Sequence, residues 1–224
     1  MRLIFRWPLV AAWVFCGWCF SFDAFAQQAE DHLLPSEGYF TSYAHQRDYY
    51  PRVRDVLCAG LTDSPVAQVV VLPSFTPEYV LSLEKRAATY YLTYRVCETS
   101  VWASLQEKRR ASVSVRTTTV ELSQSAASAV INAFTQAIYQ THYPAPSETH
   151  RLGSDGTTYH FSLFQRGVGL QGGQTWSPRE GTQMSDLVDL TTTLKKVTAA
   201  PADVQLQTAL TQQAQRLLLR LTNK

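Results

Sequence analysis

The sequence is poor in charged residues and lacks the motifs of several common enzyme classes. Asp, Glu, Lys and Arg make up 17% of the 224 residues, and the formal net charge is only +2. Typical soluble domains carry about a quarter of charged residues. There is no G-x-S-x-G nucleophile elbow and no H-E-x-x-H zinc motif. The nearly neutral net charge therefore gives no basis for nucleic acid binding. Because these motifs are missing, we predict no catalytic residue and no cofactor.

The histidines and carboxylates also form no recognisable site. No two of the five histidines have a spacing that places both imidazoles on one helix face, so we predict no metal site. Paired carboxylates support glycoside hydrolysis in other proteins. Here Asp155 suits the turn before a glycine, and Asp186 suits the first turn of a helix. The alternative that stays open is a cell-envelope hydrolase whose acid and histidine residues meet only in the fold; its candidates are Asp155, His160, Glu180 and Asp186.

Long hydrophobic runs are scarce, and the one that is present lies at the N-terminus. Residues 8–22 carry no charge, two arginines precede them, and an A-x-A pattern ends at Ala26. A bilayer span needs about 20 apolar residues, which this run does not reach. We therefore predict a secretory signal peptide over residues 1–26, removed after Ala26, with no membrane span left afterwards. Arginine outnumbers lysine, and neither asparagine stands in a glycosylation acceptor, which favours a bacterial periplasm.

Cysteine is also scarce after the predicted cleavage. Cys16 and Cys19 lie within the signal, so only Cys58 and Cys97 remain in the mature chain. In an oxidising compartment two lone cysteines are most simply joined in a disulfide. The alternatives are a reactive thiol or two zinc ligands, but no histidine or cysteine stands at zinc-finger spacing around either one. We therefore predict a Cys58–Cys97 disulfide.

The periodicity of the mature chain predicts an α+β fold. Alternating or β-branched segments indicate strands over residues 66–72, 78–84, 89–97, 112–122 and 159–163, with a glycine-rich return to Trp176. Apolar stripes at helical spacing indicate helices that begin at Pro51, at Ser123 or Ser125, at Thr182 and at Pro201. We expect residues 27–224 to form a single domain, with a mainly antiparallel sheet, helices packed on one face and a C-terminal amphipathic helix over 201–224. Residues 27–37 are expected to be loose.

One segment matches a known motif by letter only. Residues 167–172 read G-x-G-x-x-G, which binds dinucleotides when it lies between a strand and a helix. The residues that follow cannot open a helix at once, because they include Gly173 and Pro178. We interpret the glycines as a turn or bulge in a hairpin, whose tip could still be a recognition loop.

The remaining candidates for function are aromatic and glycine-rich surfaces. Tyrosines cluster after residue 38, and such a cluster is either a binding surface or packing over the core with hydroxyls at the edge. The candidate binding residues are Tyr39, Phe40, Tyr43, Gly169 and Gly172. We expect an exported, non-enzymatic protein that binds a protein partner in the cell envelope. An inhibitor, an immunity protein against a secreted toxin and an envelope accessory factor all fit that description.

Overall fold

The residues that the structure describes form a seven-stranded sheet and five helices. The structure is a computed structural model, and it describes residues 31–36, 44–106, 112–144 and 155–223. The strands are β1 (Leu34–Pro35), β2 (Ala67–Pro73), β3 (Tyr79–Arg86), β4 (Thr89–Cys97), β5 (Val115–Leu122), β6 (Thr157–Gln165) and β7 (Gly169–Trp176). The helices are α1 (Ala44–Leu57), α2 (Val101–Gln106), α3 (Gln124–Tyr139), α4 (Gln183–Ala199) and α5 (Val204–Thr222). The predicted signal, residues 1–26, lies outside the described residues.

Every strand pair in the sheet is antiparallel, as the sequence pattern predicted. The strand order is β1-β7-β6-β2-β3-β4-β5. β3 and β4 form a hairpin, with Arg86 opposite Thr89 across its turn. β4 covers the same residues as the predicted strand, in which every second residue from Tyr90 to Val96 is aromatic or aliphatic.

The main core lies between one face of the sheet, called here the inner face, and the three longest helices. Alternate residues of the strands point to this face and pack against α3, α4 and α5. Phe134 of α3 meets Phe161 of β6 edge to face, with ring centroids 5.2 Å apart. The predicted helical layer on one face of the sheet is therefore present.

A second, smaller core lies on the opposite face, called here the outer face. Val80 belongs to it, whereas its neighbour Leu81 belongs to the inner core, since successive strand residues face opposite sides. α1 and α2 cover this part of the outer face through Val53, Leu57 and Val101. Helices thus pack on both faces.

Side-chain caps fix where the inner helices begin. The Ser123 hydroxyl accepts a hydrogen bond from the Ala126 amide and the Thr182 hydroxyl accepts one from the Ser185 amide, as expected for the two predicted caps. α5 begins later than predicted, because Asp203 caps it and Pro201 lies in the preceding turn. Within the described ranges, every helix is too short or too polar to span a bilayer.

One further helix begins elsewhere than predicted, and two short elements were not predicted. α1 begins at Ala44, so that Pro51 lies inside the helix and not at its first position. The exposed Pro51 is tolerated because Tyr49 and Val53 on either side are buried in the outer core. α2 and β1 were not predicted, and residues 31–36, expected to be loose, include β1 and the fully buried Leu33.

Candidate functional site

The hairpin tip, defined here as residues 164–170, joins β6 to β7 at one end of the sheet. The Val168 amide donates a 3.1 Å hydrogen bond to the Gln165 carbonyl, which closes the turn. Gly167 and Gly169 have φ angles of +85° and +101°, which glycine adopts without steric cost. The Phe164 amide donates to the Pro65 carbonyl at 2.8 Å and holds the tip against the start of β2. The tip is thus a defined structure attached to the sheet.

The hairpin tip exposes three large apolar side chains. Phe164 and Leu170 are opposite each other across the two strands and are 39% and 58% exposed, respectively. Val168 in the turn is 58% exposed. Arg166 is the only charged residue in the tip, and it is exposed. An exposed apolar cluster beside one cation is a typical anchor for a protein partner.

A row of small polar residues continues from the hairpin tip across the outer face. Ser162, Gln68, Ser82, Thr93 and Thr119 occupy successive strands in register. The Gln68 side-chain amide donates to the Ser82 hydroxyl at 3.3 Å, and the Thr93 and Thr119 hydroxyls are 3.1 Å apart. Ser82 and Thr93 are only 2% and 4% exposed, so these hydrogen bonds lie within the fold and link neighbouring strands.

The structure separates the two glycines predicted to bind a partner. Gly169 lies in the hairpin tip, and a Cβ placed on it would meet no atom within 4 Å. Gly172 lies within β7, where an added Cβ would be 2.7 Å from the Phe161 carbonyl oxygen. Its role is therefore close approach of the backbones of β6 and β7. The interpretation of the glycine motif as a hairpin is confirmed, since β7 and not a helix follows the turn. The other predicted binding residues, Tyr39, Phe40 and Tyr43, lie outside the described residues.

Sequence reasoning missed the three apolar residues of the tip, although a signal was present. Phe161 and Leu163 alternate with polar residues in the predicted strand, and Phe164 directly follows Leu163, so alternation places Phe164 on the opposite face from them. Val168 and Leu170 follow within six residues, and a cluster of apolar residues at exposed positions is a sign of a binding surface.

Cys58 and Cys97 are both free thiols in the structure. They lie in the outer core, at the end of α1 and at the end of β4. The Arg95 guanidinium donates to the carbonyls of Val56 and Ala59, which flank Cys58. Burial raises the pKa of both thiols, and it raises that of Cys97 to about 12. The positive charge of Arg95 partly opposes this rise for both thiols. The disulfide stays a prediction for the oxidised protein.

Glu78 is the centre of a buried hydrogen-bond network between the sheet and the outer helices. Its side chain is completely buried, and its carboxylate accepts from the Tyr49 hydroxyl at 2.8 Å and the Val101 amide at 2.7 Å. The Ser100 hydroxyl and the Trp102 amide also donate to it. Burial, followed by the charge of Glu78, raises the pKa of Tyr49. Four donors to one carboxylate indicate a structural role, in which Glu78 fixes the start of α2.

His160 lies on the outer face of β6 and is half-buried as a residue, with the Nε2 atom of its imidazole fully buried. Its ring meets the ring of Tyr50 edge to face, with centroids 5.6 Å apart. Burial lowers its pKa to about 4, so the folded protein holds it neutral near pH 7. Among the described residues, none forms a hydrogen bond with its Nε2 atom.

The residues of the alternative hydrolase site are not brought together. Asp186 lies on α4, which packs on the inner face, and it forms an ion pair with Arg220. His160 lies on the outer face, so the sheet separates the two. Asp155 is exposed before β6, and Glu180 is exposed in the turn before α4. Within the described part of the chain, no group of three or more His, Cys, Asp or Glu residues is arranged to hold a metal ion.

Comparisons with known protein families, with curated proteins and with solved structures found no match to this chain.

Proposed function

We propose that the protein is an exported, non-enzymatic binding protein of the bacterial cell envelope, and that the hairpin tip is its contact with a protein partner. An inhibitor, an immunity protein against a secreted toxin or an accessory factor would each bind in this way. The observation that carries the proposal is the exposed pair Phe164 and Leu170 with Val168 beside it. The predicted signal peptide supports the location.

The shape of the hairpin tip favours a concave apolar site on the partner. A two-stranded projection presents side chains of both strands at once, and an apolar pocket can surround them. Arg166 adds a charge that an acidic group at the rim of such a pocket would pair with. Because the turn is already hydrogen-bonded, little conformational entropy is lost on binding.

The proposal is tested by capture of a partner with the purified protein from an envelope extract of the cells that produce it. We expect a stoichiometric complex that Val168→Ser and Leu170→Ser each weaken by about 5- to 30-fold, as truncation of central apolar contacts does. Binding is measured by calorimetry, and thermal melts establish that each variant is folded.

Phe75→Ser is the matched control for these variants. Phe75 is 81% exposed but lies in the loop between β2 and β3, at the opposite end of the sheet from the hairpin tip. We expect it to bind the partner as the unchanged protein does. Equal weakening by Phe75→Ser, or turnover of a substrate by a protein that captures no partner, would defeat the proposal.

A further inference from the structure

Residues 31–36, called here the N-terminal arm, precede α1. A group of polar residues lies where this arm meets α3, α4 and α5 on the inner side of β7. We define the arm junction as residues 31–33, Gln140, Thr141, Gln183 and the last turn of α5. Leu33 is fully buried in the inner core, and its carbonyl accepts from the His142 amide at 3.2 Å. The carboxylate of Asp31 accepts from the Gln183 amide at the start of α4. Hydrogen bonds to residues 142 and 183 therefore hold both ends of the segment 31–33.

Four buried polar atoms in the arm junction have no hydrogen-bond partner among the described residues. Seven such atoms occur in the described chain, and four of them are here: His32 Nε2, Gln140 Oε1, Thr141 Oγ1 and Gln183 Oε1. The His32 and Gln183 residues are each only 7% exposed. Buried polar atoms in native proteins nearly always have a partner, so a cluster of unpaired ones indicates a bound species.

The unpaired atoms of the junction are all able to accept hydrogen bonds. Gln183 Nε2 donates to the Arg220 carbonyl at 3.0 Å and Gln140 Nε2 donates to the Leu221 carbonyl at 2.6 Å. These bonds fix both amide groups and leave each Oε1 atom without a partner among the described residues. His32 Nδ1 lies 3.0 Å from the Leu33 carbonyl, which only accepts, so Nδ1 is the donor; in the neutral form of the ring Nε2 is then an acceptor.

The helix ends around the junction add negative potential. α3 and α5 run in the same direction, because Gln207 near the start of α5 accepts from the Ser123 amide and Gln140 after the end of α3 reaches Leu221. Both C-terminal ends, where helix dipoles are negative, therefore face the junction. The positive start of α4 is already met by the carboxylate of Asp31 and the hydroxyl of Thr182.

We propose that the arm junction binds a small cation through Gln140 Oε1, Gln183 Oε1 and Thr141 Oγ1, and that the cation fastens the N-terminal arm to the helices. Amide and hydroxyl oxygens are ligands of hard metal cations. An ammonium ion offers the same charge and can in addition donate a hydrogen bond to His32 Nε2. The shared chemistry is a small cation held by neutral acceptors.

Thermal melts of the purified protein in different chloride salts at equal ionic strength test the proposal. The salts are those of sodium, potassium, calcium and ammonium, and tetramethylammonium chloride is the reference because that ion is too large for a buried site. We expect at least one of them to raise Tm by about 3 °C in a saturable way, as ligand binding to the folded state alone does for a chain of this size. Thr141→Val, which replaces the hydroxyl by a methyl group, should abolish the rise.

Two further variants identify the cation and control for lost stability. His32→Phe keeps a ring stacked on His142; it should abolish a rise caused by ammonium and retain one caused by a metal ion. Gln207→Met is the matched control, since Gln207 also links helix ends but both of its polar atoms have partners. It should lower Tm in every salt and keep the cation-specific rise.

Two results would overturn the inference. Equal Tm values in all salts would mean that the junction holds water only. A rise that Thr141→Val retains, or that Gln207→Met also abolishes, would mean that the ion acts elsewhere. Diffraction from crystals grown with rubidium gives an independent readout, because anomalous scattering locates the ion directly.

Discussion

Acid should destabilise the protein through His160, and the effect can be isolated with one substitution. The imidazole is buried beside Tyr50, and burial lowers its pKa from 6.5 to about 4. The unfolded chain, by contrast, exposes the ring to water. At a pH between these two values the unfolded state therefore binds a proton that the folded state does not.

The size of the effect follows from the difference between the two pKa values. Each unit of difference corresponds to about 1.4 kcal/mol, so about 2.5 units correspond to about 3 kcal/mol of stability. This contribution is fully present above pH 6.5 and is lost as the pH falls to about 4. The free energy of unfolding should fall by up to about 1.4 kcal/mol per pH unit in that window.

His160→Phe is the variant that measures this contribution. Phenylalanine keeps a ring beside Tyr50, removes the titration and removes the unpaired Nε2 atom. Urea unfolding at a series of pH values between 7.5 and 4 gives the free energy for both proteins. Their carboxylates are the same, so the difference between the two curves isolates His160. The free energy of unfolding of the variant minus that of the unchanged protein should rise by about 3 kcal/mol as the pH falls from 7.5 to 4.

A difference that stays constant across this pH range would refute the reasoning. An NMR titration of the folded protein gives a second check, because the ring proton of His160 reports its pKa directly. A midpoint near that of an exposed histidine would mean that the ring is hydrated, and the burial argument would fail.

Three further predictions concern the buried centres. Glu78→Gln should lower the free energy of unfolding by about 3 kcal/mol, because the NH2 group of the glutamine is itself a donor and faces the four donors that bind the carboxylate. The control Glu121→Gln, at an exposed position, should change it by no more than about 0.5 kcal/mol in the same urea experiment. Gly172→Ala should lower it by about 1–3 kcal/mol through contact with a main-chain oxygen of β6, and an unchanged Tm would contradict this. In the exported protein, unfolded without reductant, a thiol reagent should find no free Cys58 or Cys97, and two titrated thiols would exclude the disulfide.

The strands were predictable because their signals are local. In β4 every second residue from Tyr90 to Val96 is aromatic or aliphatic, which marks one face of the strand. The caps at Ser123 and Thr182 were predictable for the same reason, since a cap requires one side chain and the amide three residues on.

The features that were missed depend on contacts between distant parts of the chain. α2 is six residues long, and its first amides bind Glu78, more than 20 residues earlier. A helix that short is not stable alone, so no local pattern marks it. The arm junction likewise joins residues 31–33 to Gln183, some 150 residues later.

The two faces of the sheet explain why the hairpin tip is the best candidate for recognition. Three helices cover the inner face, and α1 and α2 cover the outer face at the end where Glu78 holds them. The other large apolar residues exposed within the described ranges lie singly or on separate elements, as is normal for a protein surface. Only the tip places three of them within seven residues, on a backbone that both strands hold in position. An apolar cluster in such a rigid hairpin is better explained by contact with a partner than by the stability of the fold, since the core is complete without it.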